Sequence, residues 1–220
     1  MTAPHTARHR PGPPSRGLHR FTRPRPPAPE RCELCGTALD TGHRHLVDTA
    51  QRSLACACPP CALLFARPDA GGGRFRTVPD RVLADPGSAP SAAAWGALHI
   101  PVALAFFFHH STLGRPVALC PSPAGATETE IDPAAWDTAF AGSRLAALLE
   151  PDVEALLVRR TDDGAVCYLV PVDVAYELVG RMRLHWKGFD GGAEARATLD
   201  AFFATLERRA TGVPGEAAHP

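Results

Sequence analysis

The 220-residue chain is short of long hydrophobic runs, of net charge and of catalytic signatures, and each shortage narrows what it can do. Its longest apolar stretch, IPVALAFFF at 100–108, falls well below the roughly 20 residues a membrane-spanning helix needs. The first residues carry arginines with no apolar segment behind them, so they do not read as a secretory signal. The 23 basic and 23 acidic residues cancel, and bulk charge therefore points to neither nucleic acid nor an acidic substrate. No serine sits in G-x-S-x-G. His109 and His110 lack the H-E-x-x-H frame, and CPSPAGATETE (120–130) lacks the lysine and glycine spacing of a phosphate loop. No catalytic constellation emerges.

What is present divides the chain into pieces. Residues 1–31 hold eight prolines and seven arginines against one glutamate. Such a segment buries too little surface to offset its ordering entropy, so it reads as a disordered, polyproline-like tail. The basic excess sits there, which leaves the remainder mildly acidic. Residues 211–220 read as a second tail. Between them lie a cysteine module at 32–66 and a larger domain at 79–210, and the expected class is α+β.

In the module, HRHLVD (43–48) and SLACAC (53–58) read as two strands around a polar turn, with CALLF (61–65) opening a helix. In the domain, Ser91 caps a short helix ending before Pro101, and Asp132 with Pro133 opens another. VALAFFFHH and RPVALC read as buried strands joined through STLG. VEALLVRR and AVCYLVPVD flank TDDG, a hairpin signal through its Asp-Gly. The sheet is thus mainly antiparallel. Residues 174–186 fit both strand and helix periods, and Asp173 as a cap favours helix. Ala195, Leu199, Phe202, Phe203 and Leu206 share one face of a C-terminal helix. CPSPAGATETE and WKGFDGG (186–192) read as connecting loops, the second also able to cap that helix.

The chemistry lies in the cysteines. Cys32-x2-Cys35 and Cys58-x2-Cys61 are separated by 22 residues, close to the 15–20 of two-knuckle zinc sites. A C-x2-C turn brings two thiolates onto one ion while backbone N–H groups donate to them. Two such turns joined by a hairpin give four ligands at about 2.3 Å from a tetrahedral ion. Gly36 after the first knuckle fits a turn needing positive φ. Knuckle, hairpin and helix together resemble zinc-ribbon and treble-clef modules, with zinc as the metal and no open coordination position for catalysis. CPPC also resembles the knuckle of rubredoxins, where the ion is iron and the role electron transfer. Spacing does not separate the two ions.

Cys56 points to the same side of its strand as Cys58; it could replace a ligand or act as a redox partner, and otherwise is a partly buried bystander. His43 and His45 share a strand face and either could ligate, but with four cysteines in register they read as solvated. Cys120 and Cys167, in apolar strands, read as packing residues. Seven cysteines, clustered and odd in number, suit metal binding in a reducing cytoplasm better than a disulfide framework.

RCELCG, HRHLVD, CACPPCALLFARPDAGGGRFRTVPDR, IPVALAFFFHHS, PSPAGATE, LEPDVEALLVRR and YLVPVDVAYELVGRMRLHWKGFDGG together resemble a bacterial family of unknown function encoded beside uptake nickel–iron hydrogenase genes. The resemblance covers about residues 31–210. It implies a setting, hydrogenase assembly or support, and not a reaction. Only the four knuckle cysteines carry over as ligands. The expectation is a non-enzymatic metal-binding accessory protein that docks a hydrogenase subunit or maturation factor. The alternative is a rubredoxin-like iron carrier. A nucleic-acid-binding ribbon ranks last, because only Arg31, Arg44 and Arg52 lie in or beside the module.

Overall fold

Strands rich in branched and aromatic residues form two sheets, whose arrangement fixes where the cysteines stand. The computed structural model describes residues 29–67, 69–122, 125–186 and 192–213. The expected N-terminal tail lies outside these apart from residues 29–31, and so does nearly all of WKGFDGG.

The small sheet has the order β2-β1-β3. Strands β1 (Arg44–Asp48) and β2 (Ser53–Ala57) form the expected antiparallel hairpin, with His45 opposite Cys56. Helix α1 (Pro59–Leu64) follows, and β3 (Phe75–Thr77) pairs with the free edge of β1. Between α1 and β3 the chain turns through three glycines at positive φ. Gly71 stands so close to Phe65 that a Cβ would lie 2.7 Å from its ring, so this turn needs glycine for both reasons.

Among the described residues the large sheet has seven strands, in the order β10-β4-β9-β8-β5-β6-β7. They are β4 (Leu83–Ala84), β5 (Leu104–His110), β6 (Arg115–Ser122), β7 (Gly125–Glu130), β8 (Glu154–Thr161), β9 (Gly164–Pro171) and β10 (Thr211–Gly212). All pairings are antiparallel except β10 with β4. Thr211 and Gly212, read from sequence as tail, pair there because Ala210 and Val213 pack onto the sheet's two cores.

Helices cover both faces of this sheet. On one, Phe107, Leu156 and Leu169 meet Trp95 of α2 (Ala92–Ala97), Trp136 of α3 (Pro133–Ala139) and Leu145 of α4 (Arg144–Leu148). On the other, Phe106, Leu157 and Val170 meet Leu178 of α5 (Val172–His185) and Phe202, Phe203 and Leu206 of α6 (Gly192–Arg209). Burial on both sides is why these strands show little apolar alternation in sequence.

Ser91 accepts a bond from Ala94 N, and Asp132 accepts from Ala134 N and Ala135 N, as expected of caps. Three local expectations need correction. Residue 171 is the N-cap of α5, and Asp173 lies in its first turn. Helix α1 opens at Pro59 and not at Cys61, because two prolines fit the first turn, where no N–H needs an intrahelical partner. ATETE is not loop but part of edge strand β7, whose residues are mostly exposed and so lack an apolar signature. Such charges protect an edge from further pairing.

Candidate metal centre

The first knuckle is a tight turn. Gly36 N donates to Cys32 O at 2.8 Å, Cys32 N to Thr37 O at 2.8 Å, and Gly36 takes φ 77°. In the second, Cys58 precedes α1 as its N-cap and accepts the Ala62 N–H at 2.9 Å, which places Cys61 in the first helical turn. Glu33 brings the two together. Its N–H donates to Cys56 O at 2.9 Å, and its carboxylate accepts the Cys56 N–H at 2.8 Å. The tip of the first knuckle is thereby fastened to the strand that leads into the second.

The sulfurs of Cys32, Cys35, Cys58 and Cys61 all lie within 4.8 Å of one another, with Cys35 and Cys58 at 3.7 Å. Four thiolates about 2.3 Å from one tetrahedral ion stand about 3.8 Å apart, so the arrangement fits a metal. Cys32 and Cys58 are buried, whereas Cys35 is exposed. Burial opposes ionisation of Cys32, but the backbone N–H groups of Cys58, Cys35 and Leu34 outweigh it and bring the thiol down to about 6. The Thr37 hydroxyl and N–H hold Cys35 below its ordinary value. Cys61, facing the Cys58 sulfur and buried, is pushed up to about 12. The core beneath is small, being Leu46, Ala55, Ala57 and Ala62 with Leu39 and Phe65 at its margin.

The remaining cysteines separate. Cys120 and Cys167 are buried in the large sheet, where burial raises both thiols. Cys56 does not stand alone: its ligand atom and those of His43 and His45 lie within 4.8 Å of one another. Neither histidine is freely solvated. The His43 side chain is 9% exposed and the His45 side chain 27%. His43 Nδ1 donates to Asp40 O at 3.0 Å, and His45 Nδ1 to Asp173 Oδ2 at 2.8 Å. The sequence signal for this group was the shared face of His43 and His45; the register that sets Cys56 across from His45 completes it.

Sequence reading missed a second polar cluster, where the small sheet meets the large one. Asp152, at φ 66°, accepts Ser111 N at 2.9 Å and lies 3.7 Å from His110 Nδ1. Arg52 reaches both His110 and Glu128. Arg52, His110 and Asp152 border a cavity of about 20 Å³ between the sheets, room for about one water.

Among the described residues no helix is long and apolar enough to cross a membrane. A model of a family of unknown function (DUF5947) matches residues 31–210, and the chain belongs to that family. No curated protein and no solved structure matches it.

Proposed function

We propose that this DUF5947 protein is a non-enzymatic accessory protein, in which Cys32, Cys35, Cys58 and Cys61 hold one structural zinc and the module so fastened docks a protein partner. The observation that carries the reading is the convergence of four sulfurs from two knuckles above a core too small to hold the hairpin alone. A closed four-thiolate site leaves no position for water or substrate, and its binding energy goes into folding. Docking is supported by α1, where Leu63 and Leu64 are 74% and 69% exposed directly after the second knuckle. Exposed large apolar side chains grouped on one element mark interaction surfaces. Resemblance supplies the setting: the partner would be a nickel–iron hydrogenase subunit or maturation factor in the cytoplasm.

One observation favours a second reading, a rubredoxin-like iron carrier. Cys35 reaches solvent, as a sulfur passing electrons to another protein must. Purification without added metal, followed by elemental analysis and a visible spectrum, decides between them. A colourless protein with one zinc in the four-sulfur site supports the structural reading. Red protein with iron there overturns it in favour of the carrier. The partner is tested by native co-purification with hydrogenase subunits, and failure to recover any would count heavily against that setting.

A further inference from the structure

Three side chains beside the four-sulfur site are arranged as a ligand set in their own right. His45 on β1 and Cys56 on β2 are direct cross-strand partners, and His43 precedes His45 by two residues on the same face. The imidazole centroids of the two histidines are 4.9 Å apart. Both rings are oriented by an oxygen acceptor at Nδ1, the Asp40 carbonyl for His43 and the Asp173 carboxylate for His45. In the neutral ring this sets the proton on Nδ1 and leaves the Nε2 lone pair free. Metal-ligating histidines are held in this way, the second nitrogen donating to a carboxylate or carbonyl.

The second observation is an orphan. His43 Nε2 is buried and has no hydrogen-bond partner among the described residues, on a side chain that is 9% exposed. Burying a polar atom unpaired carries its full desolvation cost, so a nitrogen held there with its other side fixed calls for something to meet it. A cavity of about 320 Å³, bordered by His43, His45, Val78, Asp173 and Arg209, opens beside the two rings. An ion at about 2.0–2.3 Å from two imidazole nitrogens and one sulfur would place those atoms about 3.3–3.8 Å apart. One ring nitrogen of each histidine and the Cys56 sulfur already lie within 4.8 Å of one another.

We propose that His43, His45 and Cys56 form a second metal site, for a borderline divalent transition ion of the zinc, cobalt or nickel type. Mixed imidazole and thiolate donors select that class over magnesium or calcium. Three protein ligands leave a fourth position, and the adjoining cavity can admit water or a small ligand to it. The two sites differ in kind: one is closed by four sulfurs, the other is open, with one sulfur. Glu30, 3.5 Å from His43 Nδ1, and Glu33, bonded to the Cys56 N–H, add negative charge nearby.

Cobalt(II) titration of the full chain tests this, since thiolate-to-cobalt absorption scales with the number of sulfurs bound. Two equivalents are expected, one with the strong band of four thiolates and one with the weak band of a single thiolate. Cys56→Ser and His43→Ala should each drop the stoichiometry from two to one, abolish the weak band and keep the strong one. Should either variant fail to fold, the wild-type titration still decides. Saturation at one equivalent with only the four-thiolate band overturns the second site and leaves the first standing. A lone weak band, lost in Cys56→Ser, would overturn the four-sulfur reading and uphold this one.

Discussion

His45 and Asp173 are 128 positions apart in sequence, yet His45 Nδ1 lies 2.8 Å from Asp173 Oδ2. The contact runs from the centre of the small hairpin to the first turn of α5, and it ties the cysteine module to the helix-covered sheet. Val47, Val78, Val153 and Val172 form an apolar seam beneath it. Val78 N donates to His45 O at 3.0 Å, so the strand carrying the histidine is held on its backbone as well.

Asp173→Ala removes the acceptor that orients His45. If the ring serves a second metal site, its affinity there should fall about 10- to 100-fold, the usual cost of losing an outer-shell partner. Competition titration with a chelating dye reads this directly. The four-sulfur site should keep its affinity; equal losses at both sites would mean that the contact only holds the module in place.

Cys35→Ser takes one ligand from the four-sulfur set. A structural zinc brings about 10–16 kcal/mol of apparent binding energy, far more than the small core beneath it can replace. The variant should purify without that ion and lose protection of the β1–β2 amides in hydrogen exchange. The large sheet should keep its own protection. Retention of metal and of an unchanged thermal transition would refute the ligand assignment.

Arg81 makes two bonds to fully buried Glu154, at 2.6 and 2.8 Å, and Glu154 also accepts the Glu150 N–H at 3.0 Å. Arg81→Met should destabilise by about 3 kcal/mol, the low end for breaking a buried pair, because Arg81 is itself 37% exposed. Adding Glu154→Leu should recover part of the loss, since no carboxylate is then left buried without a partner. Chemical denaturation of both variants measures the difference, and a double variant weaker than the single one would contradict it.

Asp48 is held below the ordinary carboxylate range, first by the Arg74 guanidinium at 2.7 Å and also by the Gln51 and Ala50 N–H groups. A depressed folded-state pKa adds stability above the unfolded value of about 3.9 and loses it as pH falls through the folded value. Asp48→Asn should therefore be less stable at pH 7, and should lose less than the wild type between pH 5 and pH 3. Parallel acid titrations of thermal stability would show two identical slopes if the pairing contributes nothing.

Phe107 is fully buried, with its ring against Trp95, Trp136 and Phe140. Phe107→Ala should cost about 3–5 kcal/mol, the range for deleting a core phenylalanine. A loss under 1 kcal/mol in urea unfolding would mean that the face is loosely packed.

Where the determinants are local, the sequence alone carried the outcome. Both C-x2-C knuckles, the hairpin between them and the caps at Ser91 and Asp132 depend on residues within a few positions, so spacing and side-chain type suffice. The C-terminal helix was legible for the same reason, its apolar residues recurring on one face. Tertiary structure decided what depends on remote surroundings. His45 read as solvated because its partner, Asp173, is brought in by α5 from 128 positions away, whereas His43 is met within its own module by Asp40 O and Glu30. Cys56 looked like a bystander until strand register set it across from His45. The large sheet hid its orientation because both faces are buried, and β7 hid its strand because neither face is. Periodicity reports a contrast between buried and exposed sides, and where that contrast vanishes only the assembled fold shows which residues meet.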